Sequence, residues 1–281
     1  MKLYKKVVFA SLAAILIVGC TQKTPYTNRS QMIFMSPKEE LALGAQSYKQ
    51  TLSKSKVVIG TNDANRVKKI GQRIAHIANR PDFKWEFNLV DNKAMNAFCL
   101  PGGKVVVYTG IMKAAKNDDQ LATVMAHEIA HALARHGAER MSSSMVQQGL
   151  QVLGNVVLAA KAPQYTNAFN QAYGVGSQLG VMLPYGRMQE SEADEIGIYL
   201  MAKAGYNVHE ALNFWKNMSA GNKKAPNEFF STHPSSSTRI ANISRVIKKL
   251  ESMNIKPVSY ANPAYTKPTN NSNNTLGKKL Y

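Results

Sequence analysis

The chain has 281 residues, 44% of them hydrophobic, enough for one sizeable globular domain with a real core. Its 35 Lys and Arg outnumber 17 Asp and Glu, a net charge of +18 that favours anionic surfaces. No basic run interleaves with aromatics and no nucleic-acid module is readable, so nucleic acid is set aside as a partner and a lipid surface fits better.

The N-terminus reads MKLYKK, VVFASLAAILIV, then GC: a basic start, an apolar run and a small residue before the break, the pattern of a secretory signal over residues 1–19. A spanning helix needs about 20 apolar residues, and the polar TQKTPYTNRS follows too soon. Ile17-Val18-Gly19-Cys20 resembles a bacterial lipobox, which would leave Cys20 as an acylated mature N-terminus anchored to the membrane. Thr21 in place of Asp resembles the signal for sorting to the outer membrane, facing the periplasm. The competing reading pairs Cys20 with Cys99, the only other cysteine, but its place directly after the apolar run favours lipidation. Cys99 is then a small buried side chain. Residues 20–35 read as lipidated N-terminus and linker.

A domain follows over residues 36–251. Ser36-Pro37-Lys38-Glu39 opens a helix with a capping box and proline at its first position. Val67, Ile70, Ile74 and Ile77 mark a second helix, which Pro81 ends. Trp85, Phe87 and Leu89 then alternate with polar residues as in a half-buried strand. Residues 95–100 and 104–108 flank Pro101-Gly102-Gly103, a hairpin signal. After Gly110 the pattern is helical or irregular. Asn117 caps the next helix, with Gln120 completing its box and Gly137 just past its end. Residues 161–186 suggest a long loop or broken helix, and further helices are expected near 186–204, 207–218 and 236–251. The Pro/Asn-rich stretch 252–281 reads as a disordered tail. The class is α+β, mainly helical, with a small sheet of three or four strands.

"HEIAH", residues 127–131, carries the chemistry. Positions four apart on a helix lie about 40° apart in azimuth and about 6 Å along the axis, so His127 and His131 can reach one ion together. Glu128 sits at the edge of the same face, placed to take a proton from water without being a ligand. A catalytic zinc takes three protein ligands and keeps one position for water. In "QESEADEIG", residues 189–197, Glu190 can close the sphere, and Asp194 on the same face can accept the outer N–H of a ligand histidine. Glu192 and Glu195 point elsewhere and are expected at the surface. His136, about 140° round the helix from His131, is expected to face away. His76 and His209 are read as structural or surface histidines.

HEIAH, ESEAD at 190–194, NAFCLPGG at 96–103 and THP at 232–234 together resemble peptidase family M48, over roughly residues 25–251. The resemblance implies a zincin-like metalloprotease domain of the gluzincin type, in the soluble periplasmic lipoprotein branch because the multiple spans of the prenyl-protease branch are missing. It implies one zinc per chain with Glu190 as third ligand, and protein substrates among misfolded or unassembled envelope proteins. An association with the outer-membrane assembly machinery is implied as well. It also puts Asn96 on a sheet edge above the metal, where an extended substrate could add as a strand, against the plainer reading of a hairpin strand. His233 has two catalytic roles open, donor to the developing oxyanion or occupant of the fourth zinc position, beside the plainer reading of a capping histidine. Arg239 can hold the last helix start against the site, with no partner assigned. Residues 141–186 are a lid or simple packing, with a competing reading as a membrane-contacting segment, and are too polar for a span. A lipoprotein chaperone with a quiescent metal site is the alternative from another class; Glu128 argues against it, because a structural zinc needs no base.

Overall fold

The computed structural model describes residues 21–220, 233 and 237–258. Residues 1–19, read above as a signal, Cys20 and the chain from 259 onward lie outside the described residues.

The stretch read as a linker is built structure. Strands β1 (Thr21–Lys23) and β2 (Ser30–Met32) form an antiparallel hairpin, with Tyr26 and Asn28 at positive φ in the turn. Thr24, Gln31 and Ile33 are buried. The segment looks like a linker because it is polar, but Thr24 and Gln31 face inward.

Helix α1 (Pro37–Ser53) starts at the expected capping box, where Ser36 and Glu39 satisfy each other's backbone N–H groups. Strand β3 (Val57–Val58) leads to α2 (Asn62–Ala78), then to β4 (Glu86–Val90), β5 (Ala97–Leu100) and β6 (Lys104–Tyr108). The sheet order is β3-β4-β6-β5. β6 lies parallel to β4, Phe87 opposite Val105, and antiparallel to β5, Ala97 opposite Val107. Gly102 and Gly103 take φ of 83° and 79° in the β5–β6 turn, and a Cβ on Gly103 would stand 2.6 Å from the Trp85 ring. β3 completes a fourth strand; two residues are too short to show a period.

Helix α3 (Asp118–Leu133) is capped by Asn117, whose side chain accepts from the Gln120 N–H, and every residue from Gln120 onward is buried. It runs between α2, β5, α6 (Leu183–Lys203) and α7 (Glu210–Ala220), and α8 (Ser237–Ser252) closes over α6. Ile70, Ile74, Leu121, Met125, Ile129, Ile196, Leu200 and Trp215 share the resulting core. Gly197 brings α6 close to α3: a Cβ there would lie 3.2 Å from the His127 backbone nitrogen.

Two boundaries differ from the sequence reading. α3 ends at Leu133, not at Gly137; Arg135 turns left-handed at φ 57°, and α4 (His136–Lys161) starts afresh. The stretch 253–258, assigned to the tail, folds back: Val258 N–H donates to Lys203 carbonyl at 2.7 Å and Ile255 packs on the core. Residues 161–186 are a broken helix, with α5 (Thr166–Ser177) followed by a π-turn at Gln178–Met182 that runs into α6. Among the described residues no helix is long and apolar enough to cross a membrane.

Candidate active site

A helix buried on all sides is apolar on all sides unless its polar residues find partners. α3 buries His127, Glu128 and His131 at its C-terminal half. Opposite, Glu190 and Asp194 lie one turn apart on α6, and His233 stands before α8. One ligand atom from each of His127, His131, Glu190 and His233 lies within 4.8 Å of all the others, and all four residues are buried. His127 Nε2 is 3.2 Å from His131 Nε2, 3.2 Å from Glu190 Oε2 and 3.3 Å from His233 Nδ1. Glu190 Oε1 is 3.3 Å from His131 Nε2, and Oε2 is 3.0 Å from His233 Nδ1.

The surrounding bonds fix where the imidazole protons lie. Asp194 Oδ1, 3.0 Å from His127 Nδ1, accepts its proton, so His127 Nε2 carries a lone pair. His136 Nε2 donates to Glu192 Oε2 at 3.0 Å, leaving its Nδ1 to accept from His131 Nδ1 at 2.8 Å. That leaves a lone pair on His131 Nε2 as well. Burial pushes the basicity of His131 well down against the opposing pull of Glu190, which keeps the ring neutral. Burial would raise Glu190, but the imidazoles of His127, His131 and His233 packed around it outweigh that and hold the group ionised. Converging lone pairs and a buried carboxylate are a donor set for a cation, and two imidazoles with one carboxylate suit zinc.

Glu128 is set apart from these. Among the described residues its Oε1 is buried without a hydrogen-bond partner, and burial raises its pKa to about 7, although His233 and Arg239 oppose the shift. Leaving such an atom unpaired costs about 1–3 kcal/mol, and the chain retains it beside the donor set. His233 Nε2 lies 3.5 Å from that oxygen.

Three supporting groups were not legible beforehand. His136 does not face away, because the left-handed Arg135 swings it back onto His131. Glu192, expected at the surface, is buried: beyond His136 it accepts from Thr24 at 2.7 Å, from Thr27, and from Arg29 Nε at 2.7 Å. These bonds outweigh burial and lower its pKa to about 2. Arg29 continues to Glu139 through two bonds of 2.6 and 2.7 Å. Arg239 gains its partner: Nη2 donates to Asp194 Oδ1 at 2.7 Å, and its Cζ lies 3.5 Å over the Trp215 ring.

The remaining positions stand as follows. Glu195 pairs with Lys249 at 2.9 Å, and His76 and His209 are exposed. Asn96 is outside the ligand group; its Oδ1 accepts from Ala97 N–H at 2.9 Å, at the head of the outermost strand β5, which packs on α3. Cys99 is half-buried, not fully buried, with Sγ 3.6 Å from the Leu100 carbonyl and its thiol pushed up by burial and by Glu128.

Comparison with known proteins gives one family pattern, Peptidase family M48, over residues 61–247. The mitochondrial metalloendopeptidase OMA1 of Saccharomyces cerevisiae is 31% identical over 263 residues, covering 84% of this chain and 74% of its own. The beta-barrel assembly-enhancing protease of Escherichia coli is 28% identical over 250 residues, covering 84% of this chain and 51% of its own. The human metalloendopeptidase OMA1 is 28% identical, covering 91% and 52%. The chain thus spans about half the length of the latter two relatives.

Proposed function

The chain belongs to peptidase family M48, and from that premise we propose that it is a zinc endopeptidase of the bacterial envelope that cuts misfolded or unassembled envelope proteins. The observation that carries the reading is the convergence of His127, His131 and Glu190 beside the buried carboxylate of Glu128. These three residues would hold zinc, which when bound supplies the Lewis acidity that makes water a nucleophile near neutral pH. Glu128 takes the proton of the attacking water and returns it to the leaving amide nitrogen. Asp194 and His136 keep the ligand imidazoles in the tautomers that present lone pairs inward. β5, with one free edge beside α3, can take an extended substrate backbone led in past Asn96. Purified mature protein is expected to carry about one zinc per chain and to cleave unfolded casein until chelator is added. Zinc-free protein, or cleavage indifferent to chelator, would sink the reading.

His233 Nδ1 stands within the ligand group, which supports its role as occupant of the fourth position, displaced when substrate enters. His233→Ala is then expected to raise casein cleavage severalfold. A fall would assign His233 to oxyanion stabilisation instead, and a rate equal to wild type would leave it no part in turnover.

Envelope placement rests on the lipobox-like Ile17–Cys20, and the E. coli relative's name, a beta-barrel assembly-enhancing protease, supports a link to β-barrel assembly. Cells are expected to incorporate labelled palmitate into the wild type and none into Cys20→Ala. Label retained in the variant would refute acylation there.

A further inference from the structure

Between Ser142 and Gln189 not one residue is buried. Over this stretch α4, 26 residues and so about 39 Å long, packs along α5, and among the described residues neither helix reaches the buried core. Their mutual contacts mix polar and apolar groups: Gln151 Nε2 donates to Asn170 Oδ1 at 3.0 Å, Tyr173 Oη to the Gln147 carbonyl at 2.9 Å, and the Phe169 ring lies over Gly154. Many of the remaining apolar side chains turn outward. Leu150, Leu153 and Val157 on α4, and Val175 and Leu179 beyond, are each 53–63% exposed. A helical hairpin that faces water has the reverse arrangement.

Charge tells what covers this face. From Arg140 to Gln189 there is no acidic residue, and the charged residues are Arg140, Lys161 and Arg187 alone. Lys161 and the exposed Tyr165 sit together at the tip, the pairing of a snorkelling cation and an interfacial phenol. The root of the hairpin is held to the amino-terminal segment: Phe34 N–H donates to Ser142 Oγ at 3.0 Å, and Arg29 is bound to Glu139. A protein partner binding through an apolar face would not require that acids be kept off fifty residues of chain; an anionic lipid surface would.

We infer that the α4–α5 hairpin is an interfacial membrane-binding element that lays its apolar face into an anionic bilayer surface, beyond any lipid anchor and independent of the peptidase reading. It lies in the headgroup region and does not span.

The test uses the chain from Thr21 onward, which contains every described residue and cannot be acylated at Cys20. It is expected to sediment with vesicles of phosphatidylglycerol and phosphatidylethanolamine, more weakly at high salt and with phosphatidylcholine alone. Leu150→Gln, Leu153→Gln and Val157→Asn combined are expected to lower vesicle affinity at least about tenfold, with circular dichroism and casein cleavage in solution unchanged. Should that variant misfold, Leu153→Trp gives a second reading, a blue-shifted emission on anionic vesicles. Equal binding by wild type and the triple variant would move the contact to the general basic surface and overturn the inference. So would a wild type that ignores vesicles, whether monomeric or forming a dimer that the variant loses. Casein cleavage by the same preparations reports on the peptidase separately, so the two can fail apart.

Discussion

Glu128→Gln is expected to lose turnover by at least about a hundredfold while keeping its zinc and its fold. The substitution preserves shape, and among the described residues Oε1 has no hydrogen bond to forfeit. The loss is therefore chemical: an amide cannot take the proton of water. The neighbouring ligand atoms belong to His127 and His131, whose tautomers are set by Asp194 and His136 and not by Glu128. Metal content by elemental analysis and casein cleavage on the same preparation check it. Near-normal cleavage would hand the role of base to another group.

His127→Ala and Glu190→Ala are expected to lose metal and activity together. Either change removes one of the donors that face one another at 3.2–3.3 Å, leaving two of the three groups that would hold the ion. Glu190→Ala also takes away the one negative charge among four converging side chains, so its affinity falls the further of the two. Asp194→Asn supplies the graded contrast. It leaves every donor in place but weakens the acceptor that orients His127 and pairs with Arg239, so a fall of about 10- to 100-fold in zinc affinity or rate is expected. Zinc titration of the three apo-variants beside wild type measures this order. Full occupancy in His127→Ala and Glu190→Ala would remove the site.

What the sequence showed and what it hid follow from distance along the chain. His127 and His131, and likewise Glu190 and Asp194, are one helical turn apart, so the spacing alone put each pair on one face. The hairpin turn was visible because Pro101-Gly102-Gly103 is turn chemistry. The break after Leu133 was not, because Arg135 adopts a left-handed conformation without a glycine or proline to mark it. That one residue decides whether His136 faces away from His131 or supports it. Glu192 could not be placed for a different reason: its partners Thr24, Thr27 and Arg29 lie more than 160 residues earlier, in a segment whose polarity mimics a solvated linker. Arg239 meets His127 across 112 positions, beyond the reach of any local pattern.

The bond path from Arg29 through Glu192 and His136 to His131 bears on where the working unit of this molecule begins. The family pattern starts at residue 61, yet the groups that orient one metal ligand come from residues 24–29. A chain trimmed to the matched region would keep every ligand and the base, but leave Glu192 and Glu139 buried without the guanidinium that neutralises them. The minimal autonomous catalytic fragment is therefore longer at its front end than the family pattern delimits, and the amino-terminal hairpin belongs to it as an integral part.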